Sequence, residues 1–111
     1  MTRWWTVTEQ RKSARKILKV KALVVMDGQP PLQGRTTDIG ANGISVTVGR
    51  PMQTGQLGQL GFDLLVEGRT VSIRARARVM YSILSGDDFK VGFQFLNLDL
   101  NAMTQLARFL Q

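Results

Sequence analysis

The chain contains no cysteine and no histidine. Without cysteine there is no disulfide framework, no thiolate zinc site and no thiol nucleophile. Without histidine the usual general base near neutral pH is missing, and with it every Ser-His-Asp triad and most transition-metal sites. The scattered carboxylates show no spacing that marks a general acid/base pair. Long apolar runs are lacking too: the longest, Ala22–Met26, is far too short to cross a membrane. The basic N-terminus has no apolar segment behind it and does not read as a secretory signal. The expectation is a cytoplasmic, non-catalytic protein with no cofactor, no metal and no membrane span.

What the sequence does contain is a foldable body with a charged end. A length of 111 residues fits one domain, and 43% hydrophobic against 21% charged residues is enough to build a core. The net charge of +7 is unevenly placed. Residues 1–21 hold seven basic side chains and one acidic, Glu9, whereas residues 22–111 hold eight basic and seven acidic. Such asymmetry points to an anionic partner: nucleic acid, phospholipid or a phosphorylated ligand. Residues 1–16 read as a basic arm and residues 17–111 as a single domain.

The body alternates in the way of strands. Ile17–Met26 reads as one strand, ended by Asp27-Gly28 and Pro30-Pro31. Gly34–Thr37 is a candidate short strand and Asp38–Gly43 a polar turn. Gly43–Val48 alternates apolar and polar residues. Leu57–Val66 is the next strand, where Gly58 and Gly61 suggest a bulge or a close backbone approach. In Arg69–Ile83, Val71, Ile73, Ala75, Ala77 and Val79 fall on one face and most of the arginines on the other. A strand this long implies a sheet that bends, so that it serves both sides of a barrel. Phe89–Leu96 is a last strand. Leu100, Met103, Leu106, Ala107 and Leu110 recur at helical spacing, which predicts a helix over about 99–110, with Asn97 or Asp99 as its cap and Arg108 in its last turn. About six strands and one terminal helix describe a small antiparallel barrel or sandwich.

Two clusters carry candidate chemistry. Arg11 and Arg15, four apart with Lys12 between them, can clamp a phosphate or pair with a guanine edge; equally, they can be part of a solvated basic arm. Asp38-Ile39-Gly40-Ala41-Asn42-Gly43 reads as a plain turn or as a carboxylate held to accept guanine N–H donors, with Gly40 and Gly43 letting a ligand come close. Arg74, Arg76 and Arg78 form a basic stripe that suits a solvated outer face or a nucleic-acid surface. Trp4 and Trp5 are a partner contact, an anchor for the arm or a free tip.

Taken in order, Arg-x-x-x-Arg before the first strand, Asp-x-Gly-x-x-Gly followed by Ile-Ser-Val, Ala77–Tyr81, Val91–Phe95 and the closing Leu106–Leu110 resemble the PilZ domain from about Gln10 to Leu110. The resemblance implies an all-β-dominated fold, a six-stranded antiparallel β-barrel with a C-terminal α-helix. It implies a bacterial second-messenger receptor that binds cyclic di-GMP, with roles in motility or biofilm regulation. The family's Arg-x-x-x-Arg matches Arg11 and Arg15. Its Asp/Asn-x-Ser-x-x-Gly matches Asp38 and Gly43, with Gly40 where the family has Ser. The missing hydroxyl costs about 0.5–1.5 kcal/mol, which weakens binding without removing it. Tyr81 stands where many members carry Trp, Gln94 where many carry Arg, and Lys12 gives electrostatic support. Binding is expected to order the arm as a signal to an unidentified protein effector. Two alternatives stand beside this reading: an interaction module of the same fold that binds no ligand, and a small basic barrel for single-stranded nucleic acid.

Overall fold

The computed structural model of the protein describes residues 14–111. Alternation in the sequence becomes strands because each apolar residue turns inward and each polar neighbour outward. The elements are β1 (Arg15–Ile17), β2 (Lys21–Met26), β3 (Leu32–Gly40), β4 (Gly43–Val48), β5 (Leu57–Val66), β6 (Arg69–Ser85), β7 (Asp88–Asn97) and α1 (Leu100–Leu110). All neighbouring strands are antiparallel. The order β3-β2-β5-β6-β7-β4 closes on itself through β3–β4, giving a six-stranded barrel, and β1 is an extra strand on β3. Val24, Ile39, Val46, Leu60, Val79 and Val91 are among the fully buried side chains of its interior.

β6 is the corner strand expected from its length. Its first part, Arg69–Arg78, pairs with β5 and its second, Arg76–Ser85, with β7. Glu67 and Gly68 both have positive φ, as a tight hairpin between right-twisted strands requires. Gly58 does sit at a close approach, since a Cβ there would stand 2.5 Å from Met26 Sδ, but Gly61 has open space and β5 itself is regular. α1 packs on β5 and β6 through buried Ala102 and Leu106. Of the two candidate caps, Asp99 does the capping and accepts a hydrogen bond from the Ala102 N–H at 2.7 Å.

Three expectations need correction. The strand expected over Ile17–Met26 is two strands, because an extra residue, Lys19, interrupts the ladder. Arg15 and Lys16, expected on the arm, begin the extra strand β1. The expected short strand and the turn after it are mostly one strand: β3 runs to Gly40, so Asp38, Ile39 and Gly40 are strand residues and only Ala41-Asn42 turns. Turn-favouring residue types are overridden here by pairing on both edges, to β1 on one side and β4 on the other.

The sheet bends sharply where these strands meet. Three Cα steps from Ile17 to Val20 pass opposite two from Asp38 to Thr36, which pass opposite one from Ser45 to Val46. Stacked bulges of this kind kink and twist a sheet and reverse the phase of its side chains. Thr36 seals the kink. Fully buried, it accepts a hydrogen bond from the Val20 N–H at 2.9 Å and donates to the Leu18 carbonyl. Thr36 points inward, Thr37 is the extra residue, and Asp38 therefore points outward instead of into the core.

Candidate functional site

The register places Ile17, Asp38, Ser45, Gly92 and Tyr81 as successive cross-strand neighbours through β1, β3, β4, β7 and β6. A further bulge, at Met80, puts Tyr81 in this row: Val79 before it is fully buried, whereas Tyr81 is exposed beside Gly92. The next row brings Arg15 opposite Gly40, and Gly43 opposite Gln94, which in turn faces Arg78. Arg15, Asp38, Gly40, Gly43, Tyr81 and Gln94 thus share one outer region of the barrel. Arg11 and Lys12 lie outside the described residues, as do Trp4 and Trp5.

Arg15 and Asp38 meet directly. Arg15 Nε and Nη2 donate to Asp38 Oδ1 at 2.9 and 2.6 Å, and Lys90 Nζ stands 3.8 Å from Oδ2. The pair is half open to water, with Arg15 43% and Asp38 28% exposed. Partial burial pushes the Asp38 carboxyl up, but the hydrogen bonds and charge of Arg15, helped by Lys90 and Ser45, outweigh it and hold the carboxyl below its ordinary value. Asp38 is therefore an ionised acceptor near neutral pH.

The glycines serve the protein's own packing first. A Cβ on Gly40 would stand 3.0 Å from Arg15 Nη1 and 3.2 Å from its Cγ, so the arginine side chain lies over this residue. A Cβ on Gly43 would fall 2.2 Å from the Phe93 carbonyl oxygen. The space expected for a ligand above these two positions is thus partly taken by Arg15 and by the β7 backbone. At Gly92 a Cβ would overlap the Tyr81 ring, which rests against the bare backbone. The Tyr81 hydroxyl and Ser45 Oγ are 3.1 Å apart and hydrogen-bonded, either one able to donate.

Beside these groups lies an open cavity of about 250 Å³ lined by Arg15, Asn42, Ser45, Met80, Tyr81 and Gln94, among others. It offers a guanidinium, an aromatic ring, hydroxyls and amides, and the guanidinium is bonded to the Asp38 carboxylate. Such a set can bind a phosphate, stack a base and accept N–H donors. Sequence reasoning missed Ser45, Lys90 and Gly92. Period two was the available signal: Ser45 shares a face with Gly43, and Lys90 and Gly92 share one with Gln94. Among the described residues no group of three acidic, histidine or cysteine side chains could hold a metal ion, and no helix is long and apolar enough to cross a membrane.

Comparison with solved structures shows the same fold in proteins of low identity. The Bacillus subtilis inhibitor of motility MotI/DgrA superimposes with a TM-score of 0.76 at 19% identity over 86% of this chain and 47% of that one, so the chain spans about half of its length. The PilZ domain of YcgR from Escherichia coli with c-di-GMP gives 0.67 at 16% identity, covering 92% of this chain and 89% of that one. The PilZ domain of CeSA from a cellulose-synthesizing bacterium gives 0.60 at 17% identity, covering 88% and 95%. No curated protein matches. The family model of the PilZ domain matches residues 9–111, nearly all of the sequence, and the chain belongs to the PilZ domain family.

Proposed function

We propose that this protein is a non-catalytic receptor for cyclic di-GMP, bound on the outer face at Arg15, Asp38 and Tyr81, with Arg11 and Lys12 contributing from the arm. PilZ domains are typically non-catalytic receptors for this dinucleotide, and the YcgR domain of the same fold carries it in its solved structure. The observation that carries the reading is the Arg15–Asp38 pair beside an open cavity. A guanidinium gives a phosphate two parallel donors or a guanine O6/N7 edge its match. An ionised carboxylate accepts from the guanine N1–H and N2–H, a donor pair that adenine lacks. Gln94 and Gly43 border the same space, and Gly40 gives no hydroxyl where the family has Ser. Ordering of the arm on binding changes the surface shown to a protein effector.

The ligand must compete with an existing contact, because Arg15 and Asp38 already satisfy each other. That observation, with Gly40, favours the second reading: a module of the same fold that acts through a protein partner alone. Calorimetry separates the two. The receptor reading expects saturable heat with cyclic di-GMP and none with GTP or cyclic di-AMP, lost in Arg15→Ala and Asp38→Ala variants that keep their circular dichroism. Absence of heat at high micromolar ligand, in the wild type and in Gly40→Ser alike, leaves the interaction module.

A further inference from the structure

A second charged feature of the barrel is not used by the dinucleotide site. Lys21 and Arg35 lie directly opposite each other across β2 and β3. Lys19, the extra residue at the kink, stands beside them, with Arg35 Nη2 3.5 Å from its carbonyl oxygen. The three cations line a groove of about 560 Å³, larger than the cavity beside Arg15. Like charges directly opposite in a sheet are destabilising. Among the described residues none of the three has a carboxylate within ion-pair distance, whereas Arg15, Arg76, Lys90 and Arg108 each have one. Asp88 lines the groove too, yet it pairs with none of them. A like-charged cross-strand pair left uncompensated at an open groove calls for an anion from outside.

The groove also selects among anions. Lys21 and Arg35 sit on neighbouring strands and Lys19 in the link before β2, and two of the three are lysines, compact charges without the fork geometry that clasps a single phosphate. Among the described residues no aromatic side chain lines it, so these offer bases no stacking platform there. Lys21, Arg35 and Thr47 form a row across three neighbouring strands, and such a row of cations and a hydroxyl matches an extended segment carrying several carboxylates. We propose that this groove docks an acidic peptide segment of a partner protein. The proposal does not depend on the dinucleotide reading.

The test uses the full chain at low salt without dinucleotide, a labelled hexaglutamate peptide read by fluorescence anisotropy, and oligothymidylate as the competing probe. Saturable peptide binding is expected, weakened about tenfold or more by Lys21→Glu. Arg69→Glu, the same change of charge on a distant hairpin, should leave it nearly unaltered. Because Lys21→Glu also turns a like-charged cross-strand pair into an opposite one, its melting temperature should rise, a result that a folding defect cannot imitate. The proposal is overturned if the wild type does not bind the peptide, if both variants weaken it equally, if oligothymidylate binds more tightly than the peptide, or if Lys21→Glu melts lower than the wild type.

Discussion

Asp38 owes its position to three neighbours of different kinds. Arg15 and Lys90 give it charge, and the bulge at Thr37 turns it outward so that both can reach it. In the unfolded chain its carboxyl titrates near the ordinary value of about 3.9. In the folded protein burial raises the value, but Arg15, Lys90 and Ser45 bring it below the ordinary one. The lowered value fixes the sign of the pH dependence. The contribution of Asp38 to stability is fully present above about pH 4 and is lost as the pH falls through the lower folded value. Urea denaturation of wild type and Asp38→Asn should therefore show a stability gap that is constant from neutral pH down to about 5 and shrinks below 4. A gap unchanged down to pH 2 would mean that the carboxyl charge is not what Arg15 and Lys90 stabilise. Asp27 is held low in the same sense by its hydrogen bonds to Arg76, but it is open to water and makes no contact with Arg15 or Asp38, so of the two lowered carboxyls Asp38 is the one that ties acid titration to the outer face carrying Arg15.

At the scale of elements, bulges decide where function sits. Regular strands over residues 15–26 and 32–40 would alternate without interruption, and Asp38 would then share the inward face of Thr36. Lys19, Thr37 and Met80 break the alternation, and the last two deliver Asp38 and Tyr81 to one outer row. Thr36 holds the first kink with a hydroxyl that serves both Val20 and Leu18. Thr36→Val keeps the shape and removes the hydroxyl, leaving buried backbone groups without a partner. A loss of about 1–3 kcal/mol in urea denaturation is expected, together with weaker dinucleotide binding because β1 and Arg15 hang on that kink. A loss of stability with unchanged affinity would show that β1 is positioned by other contacts. The bulges also mark the limit of what the sequence reveals. Gly43–Val48, Leu57–Val66 and the two-sided role of β6 were legible, since each has one face dry and one wet and periodicity records that contrast. Asp99 was legible as a cap because capping is local chemistry. Lys19, Thr37 and Met80 carry no local sign of being extra residues; they become so only when distant strands set the register. Asp38–Gly40 looked like a turn because Asp and Gly favour turns, and the two strands flanking it prevail over that preference. Of the candidate site, the identities of Arg15, Asp38 and Tyr81 were readable through the family pattern. Ser45, Lys90 and the direct Arg15–Asp38 contact needed the folded register.

The barrel is a closed ring of six strands, and the candidate site row crosses four of them, β3, β4, β7 and β6, together with the extra strand β1. A ligand gripped by residues from so much of the ring bears on the unfolding of the ring as a unit, because every contacted strand loses its place when the barrel opens. A ligand held only by the arm would leave barrel unfolding unchanged. Differential scanning calorimetry distinguishes the two cases. With cyclic di-GMP at one hundred times its dissociation constant, mass action adds about 2.7 kcal/mol to the folded state. For a domain of this size that is a rise in Tm on the order of 10 °C, in one cooperative transition. The excess positive charge adds a kinetic expectation of the same origin. With 15 basic against 8 acidic side chains the field around the molecule attracts a doubly charged dinucleotide. The association rate should then fall as salt rises. Saturable binding by calorimetric titration with no movement of Tm would place the ligand on residues 1–13 rather than on the Asp38 face. A shift in Tm that persists in Arg15→Ala would place it on the barrel but away from the Arg15–Asp38 pair.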